Sequence, residues 1–284
     1  MSGLGLEWSI LAPALAAGVL VLSIHVPLGR QVLERGIIFI DLAVAQIAAL
    51  GVTLATSLGW SDSPLAVQAA AALAAGCGAL GMTWSERRWP EIQEALIGVT
   101  FIAAASLSLL LLSHSAHGSE HLQDLLAGQI LWVSWSQLLP VALLYLPLLA
   151  LWFGLGARLG RAGFYLLFAA AVTASVQLVG IYLVFASLIL PALAAPGLKT
   201  AYAVGAAGYV FGLAASSWLD LPAGPTVVCA LTLVAALAAL ARRMPGSRAC
   251  RTAEAPAQPP HGGERTCPSQ PDTRHPPRKS PEAS

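Results

Sequence analysis

Eight stretches of nearly unbroken apolar residues, near 8–27, 36–59, 64–83, 95–113, 138–157, 163–193, 201–218 and 224–241, recur along this chain. Each is close to the ~20 residues that a helix needs to cross a bilayer. In hydrocarbon no water satisfies backbone N–H and C=O groups, so a run of this kind has to satisfy them within itself, as a helix does. Only 10% of the residues are charged, against roughly 25% in a soluble domain. The sequence therefore predicts an all-α fold: a polytopic membrane bundle of about eight transmembrane helices over residues 1–241.

The charges are segregated. Of 29 acidic and basic side chains, 12 fall in the last 43 residues, and nine prolines lie between 245 and 281. A segment so poor in large apolar residues buries too little surface to offset the entropy of ordering it, so residues 242–284 are expected to form a disordered cytoplasmic tail. His261 and His275, isolated within it, receive no role. At the other end MSGLGLEWSI has neither a basic leader nor a small-residue cleavage site, and the first helix is expected to be kept.

Basic residues between the apolar runs set the orientation. Arg30 and Arg35, Arg87 and Arg88, Arg158 and Arg161, Lys199, and Arg242 and Arg243 are expected on the cytoplasmic side. That puts the N-terminus outside. It puts HSAHGSEHLQD, residues 114–124, outside as well. The run 163–193 does not fit this scheme, because a single crossing cannot join two cytoplasmic loops. Either it turns back within the membrane, helped by Gly180 and Pro191, or Arg158 and Arg161 are not cytoplasmic.

Several chemistries are excluded or unsupported. A formal charge of +1 offers no concentrated basic face for nucleic acid. Cys77, Cys229, Cys250 and Cys267 form neither a CxxC pair nor a zinc-finger spacing. No G-x-x-x-x-G-K-[ST] loop occurs, so the chain does not hydrolyse ATP itself.

Two features carry the remaining chemistry. Asp41 stands within GIIFIDLAVAQIAALG with apolar residues on both sides. A carboxylate there costs several kcal/mol unless it faces a partner or a water-filled path, which makes a functional role the default. The alternative is an acid near a helix end that reaches the interface or pairs with Arg35. The second feature is HSAHGSEHLQD. His117, Glu120 and His121 match the H-x-x-E-H pattern of inverted zinc peptidases, but after Glu120 only Asp124 and Asp220 precede Glu254, which leaves such a site short of its further acidic ligand. The same residues, with His114, read also as a modest metal-attracting cluster or as a polar loop whose histidines face water.

Several segments together resemble the integral-membrane permease subunits of the manganese/zinc family of ABC importers. They are PLGRQVLERGIIFIDLAVAQIAALGV, EALIGVTF at 94–101, LLAGQILWVSW at 125–135, VQLVGIYLVFASLILPALAA at 176–195 and LDLPAG at 219–224, in the family's order, over about residues 26 to 241. The resemblance implies a bacterial inner-membrane subunit with no tightly bound cofactor, whose cargo is a divalent ion, zinc or manganese. It implies as partners a second permease copy, a separate ABC ATPase subunit, an extracytoplasmic metal-binding protein and membrane lipid. It sets the segment Leu188–Leu198, with Pro191, Ala194, Ala195, Pro196 and Gly197, against the ATPase. It also makes Asp41 a metal-path residue.

One departure stands out. The family carries a histidine four residues after the aspartate, whereas here that position is Ala45 and the nearest polar residue is Gln46. In a regular helix Asp41 and Gln46 lie about 140° apart, and only an inserted bulge would bring them to one ion. Either this chain carries a different metal, or its ligands have moved, with the outer histidines as candidates. The metal candidates are thus Asp41, Gln46, His114, His117 and His121. The competing readings are a secondary transporter working alone, which predicts more buried charge than one aspartate, and the intramembrane peptidase.

Overall fold

The computed structural model describes residues 3–60, 63–112, 130–155 and 158–243. Nine α-helices lie among them: α1 (Gly3–Arg35), α2 (Ile40–Ser57), α3 (Pro64–Arg88), α4 (Gln93–Leu112), α5 (Trp135–Leu155), α6 (Arg161–Val179), α7 (Ile181–Ala194), α8 (Leu198–Leu219) and α9 (Ala223–Arg243). Seven are long and apolar enough to cross a membrane. The exceptions are α7, at 14 residues too short, and α8, whose Gly-, Ala- and Ser-rich sequence is less apolar. Of the tail expected over 242–284, Arg242 and Arg243 still belong to α9, and residues 244–284 lie outside the described residues.

Helix α1 is the spine. Its 33 residues rise about 50 Å at 1.5 Å each, longer than the ~30 Å hydrocarbon core. Val21, Ile24, His25, Val26, Leu28 and Val32 are fully buried, because α5, α6, α7 and α8 all pack against α1. Gly36 then takes a left-handed φ of +70°, and the Ile37 N–H donates to Val32 O, reversing the chain into α2.

Helices α2, α3 and α4 form a layer in which α2 packs on both of the others. Small residues let the backbones approach, the usual means of helix association in lipid. Ala71, Ala75 and Ala79 repeat every fourth position on the buried face of α3, and a Cβ at Gly51 would stand 2.7 Å from Ala70 O. Gly208 and Gly212 of α8 meet Leu231 and Val227 of α9 in the same way. Helix α5 is the contrary case. Only Leu138 and Tyr145 of its residues are buried, while Leu139, Leu143 and Leu146 face outward, as on a lipid-facing helix.

The run 163–193 is two helices, α6 and α7, broken at Gly180, whose φ of +81° suits glycine and little else. Helix α6 runs antiparallel to α1. The Arg35 guanidinium lies 4.2 Å over the Phe164 ring, and eleven residues later Ser175 meets His25 at 3.2 Å. After the break the chain returns toward the Arg35 end. Phe185 stacks on Phe39 with centroids 6.3 Å apart, and Leu188 and Ala192 lie against Gly29. Of the two readings left open above, the structure takes the first: the segment turns back, which restores agreement with basic residues on one side.

Those basic residues are joined. Glu86 lies 3.9 Å from both Arg35 and Arg161, tying the ends of α1, α3 and α6 together. Beside it the Gln93 amide donates to Met82 O at 3.2 Å and to the Tyr165 hydroxyl at 3.4 Å, and accepts from Ser85 Oγ at 2.8 Å. The start of α4 is thereby fixed to this cluster.

Candidate functional site

Asp41 is the second residue of α2, not a mid-helix position as the flanking apolar text suggests. It is nevertheless 1% exposed, and neither carboxylate oxygen has a hydrogen-bond partner. The interfacial alternative fails on that burial. Pairing with Arg35 fails too, since Arg35 is held by Glu86 and Phe164. The positive end of the α2 dipole offsets part of the cost, at most ~2 kcal/mol in a partly buried geometry. Burying an unpaired carboxylate costs several kcal/mol even after relaxation. The dipole alone therefore does not account for an acid at this position.

Glu94, the second residue of α4, lies against the same helix end. Its Oε1 accepts from the Phe39 N–H at 3.2 Å, capping α2, while Oε2 is buried without a partner. Asp41 follows Phe39 by two residues, so both acids stand at the same helix end. Three carboxylate oxygens, two on Asp41 and one on Glu94, are thus buried at this helix end without a well-formed hydrogen bond, the donors nearest Asp41 being the backbone N–H groups of its own first turn. The sequence reading passed over Glu94, which stands in plain view in EALIGVTF. Its signal was an acid opening an apolar run, but only packing shows which acid it faces.

Gln46 is placed elsewhere. Helix α2 is unbroken from Ile40 to Ser57, with no bulge, so Gln46 keeps its angle of about 140° from Asp41. The expected pairing of the two on one ion is not realised. Gln46 instead lines a cavity of about 670 Å³ between α2, α4, α7 and α9, walled by apolar side chains such as Phe101, Phe185 and Val228. His114, His117 and His121 lie outside the described residues. Among the described residues no group of three or more His, Cys, Asp or Glu side chains comes together.

His25 is the other ionisable group that the sequence reading left aside. It is fully buried. Its Nδ1 stands 2.9 Å from Val21 O, a contact that only a ring N–H can make, which leaves Nε2 to accept from the Ser175 hydroxyl. His25 is thus a joint between α1 and α6, with no nitrogen free for a ligand.

The segment expected against an ATPase forms the corner between α7 and α8. Pro191 is buried in α7, Ala194 ends that helix, Ala195 caps it, and Gly197 caps α8. Thr200 Oγ1 donates to Gly197 O at 2.8 Å and stiffens the corner. Leu193 is 65% exposed, and Pro196, Lys199 and Thr200 are exposed beside it.

The architecture defines a multi-pass helical membrane protein with an unpaired acid pair and an exposed, proline-marked corner. The ABC 3 transport family matches residues 7–155 and 147–242, and the chain belongs to it. It is a transporter's membrane subunit and not an enzyme, ATP hydrolysis falling to a separate subunit; the peptidase alternative is set aside accordingly. Among solved structures it is similar to PsaBC from Streptococcus pneumoniae in complex with Fab, at 21% identity and a TM-score of 0.61, over 81% of this chain and 90% of that one. A second similarity, at 18% identity and a TM-score of 0.48 over 81% and 75%, is to an inward-facing protein assigned to the metal-chelate type of ABC transporter.

Proposed function

We propose that this chain is the permease subunit of an ATP-driven importer of a divalent metal ion, working as one of two copies with a separate ATPase on the cytoplasmic side and a metal-binding protein outside. The observation that carries the reading is Asp41: a buried carboxylate without a partner, in a chain of the ABC 3 transport family. An acid of that kind inside a membrane protein marks an ion path. The corner from Pro191 to Gly197 is where the ATPase would bear. Its proline and internal hydrogen bond make it a stiff element, able to pass on a push.

Purified alone in lipid, the chain should neither hydrolyse nucleotide nor accumulate metal. Co-expressed with its ATPase partner it should co-elute as one complex, and uptake should then follow ATP. Pumping by the chain alone would overturn the proposal in favour of a secondary transporter.

The outer histidines are proposed to attract the metal before it enters. A relay has to bind weakly, because a site with the ~10 kcal/mol or more of a structural zinc site would trap the ion. Changing His114, His117 and His121 together to Gln should raise the metal concentration for half-maximal uptake and leave assembly intact. An unchanged uptake curve would remove the cluster from the path.

A further inference from the structure

We infer that Asp41 and Glu94 are two halves of one all-oxygen cation site, which takes a hard divalent ion of the manganese class. This rests on the reading of the chain as a metal importer and adds to it the second ligand and the donor chemistry. The geometry carries the inference in three steps. Glu94 Oε1 is committed to the Phe39 N–H, so the position of its carboxylate at the start of α2 is set by backbone. Asp41 follows Phe39 by two residues, is 99% buried, and offers both oxygens without a partner. The third free oxygen, Glu94 Oε2, is buried as well.

Two carboxylates buried at one helix end disfavour each other's charge, and a dication between them removes that repulsion and gives their oxygens the strong partner that the first-turn N–H groups do not supply. The donor set decides the class of ion. Carboxylate oxygens suit manganese, magnesium and calcium, whereas imidazole and thiolate ligands suit zinc. Among the described residues the nitrogen and sulfur donors are engaged or lie on other helices: His25 is tied to Val21 and Ser175, and Cys77 and Cys229 are exposed on α3 and α9.

The test uses the permease–ATPase complex in nanodiscs, with Mn²⁺ as the probe read by electron paramagnetic resonance. Wild type should remove free Mn²⁺ from solution, and the bound ion should show no nitrogen coupling in its electron spin echo. Glu94→Gln keeps an acceptor for the Phe39 N–H, so the complex should still form. Loss even of an outer-shell partner of a metal ligand lowers affinity by about 10- to 100-fold, and Glu94→Gln should lower it by at least that. Glu94→Asp, which keeps the charge, should recover part of the loss and serves also if the Gln variant fails to assemble.

Nitrogen coupling on the bound ion, Mn²⁺ binding that survives Glu94→Gln unchanged, or no binding by wild type would each overturn the site. Binding as described by a complex that fails to drive uptake would sink the importer reading and leave the site standing.

Discussion

Asp41→Asn should abolish metal uptake while leaving the protein at least as stable as before. The change removes the charge that attracts a cation and keeps the shape, so the loss should reach about 100-fold or more, equivalent to roughly 2.8 kcal/mol at 1.4 kcal/mol per tenfold. Stability should move the other way. A buried carboxylate with no partner strains the fold, and a neutral amide in its place costs less to bury. Opposed changes of this kind are what a residue kept for function produces. The measurements are ATP-driven uptake of radioactive manganese and zinc in proteoliposomes, and the melting temperature of the assembled complex. A variant that transports normally would make Asp41 a helix-end acid and nothing more. One that fails to fold would make it a structural residue.

The second large effect is expected at Gly29. A Cβ there would stand 1.9 Å from Leu188 O and 2.9 Å from its carbonyl carbon. These are backbone atoms and cannot swing aside, so Gly29→Ala has to push α7 off α1. Overpacking of this kind costs about 1–3 kcal/mol, occasionally more, while the gain in helix propensity returns only ~1 kcal/mol. Because α7 leads into the corner at Pro196 and Gly197, the displacement should also weaken association with the ATPase. Gly98→Ala is the control. It sits in α4 with nothing within 4 Å of an added Cβ, and should leave melting temperature and complex formation as they are. Equal behaviour of the two variants would mean that the α1–α7 contact is loose and does not position the corner.

Much of the fold was legible before any coordinates. Apolar runs of bilayer length are a coarse signal, set by the thickness of hydrocarbon and indifferent to packing, and they marked nearly every helix correctly. The exception is instructive. Residues 163–193 read as one run because Gly180 is a single residue in apolar text, and hydropathy does not register a dihedral angle. The positive-inside rule did register the conflict, since Arg161 and Lys199 both claimed the same side. The turn at Gly180, with Phe185 brought back to Phe39, is how the chain resolves it.

The candidate site was legible only by half. Asp41 stood out because an acid in apolar text is costly wherever it lies. Gln46 was linked to it through family resemblance, and the regular turn of α2 separates the two. Glu94 was overlooked, fifty-three positions further along the chain, because sequence shows that an acid is present and not what it faces. By itself, then, the sequence determined the class of the protein and its lack of an ATP-binding loop, both of which depend on composition and local pattern. Only the tertiary structure decided that α2 and α4 begin side by side, that Arg35 is taken by Glu86, and that Asp41 and Glu94 are left to each other. Those are contacts between helices, and they follow from which small residues let which backbones approach, a property of packed surfaces that no single segment carries.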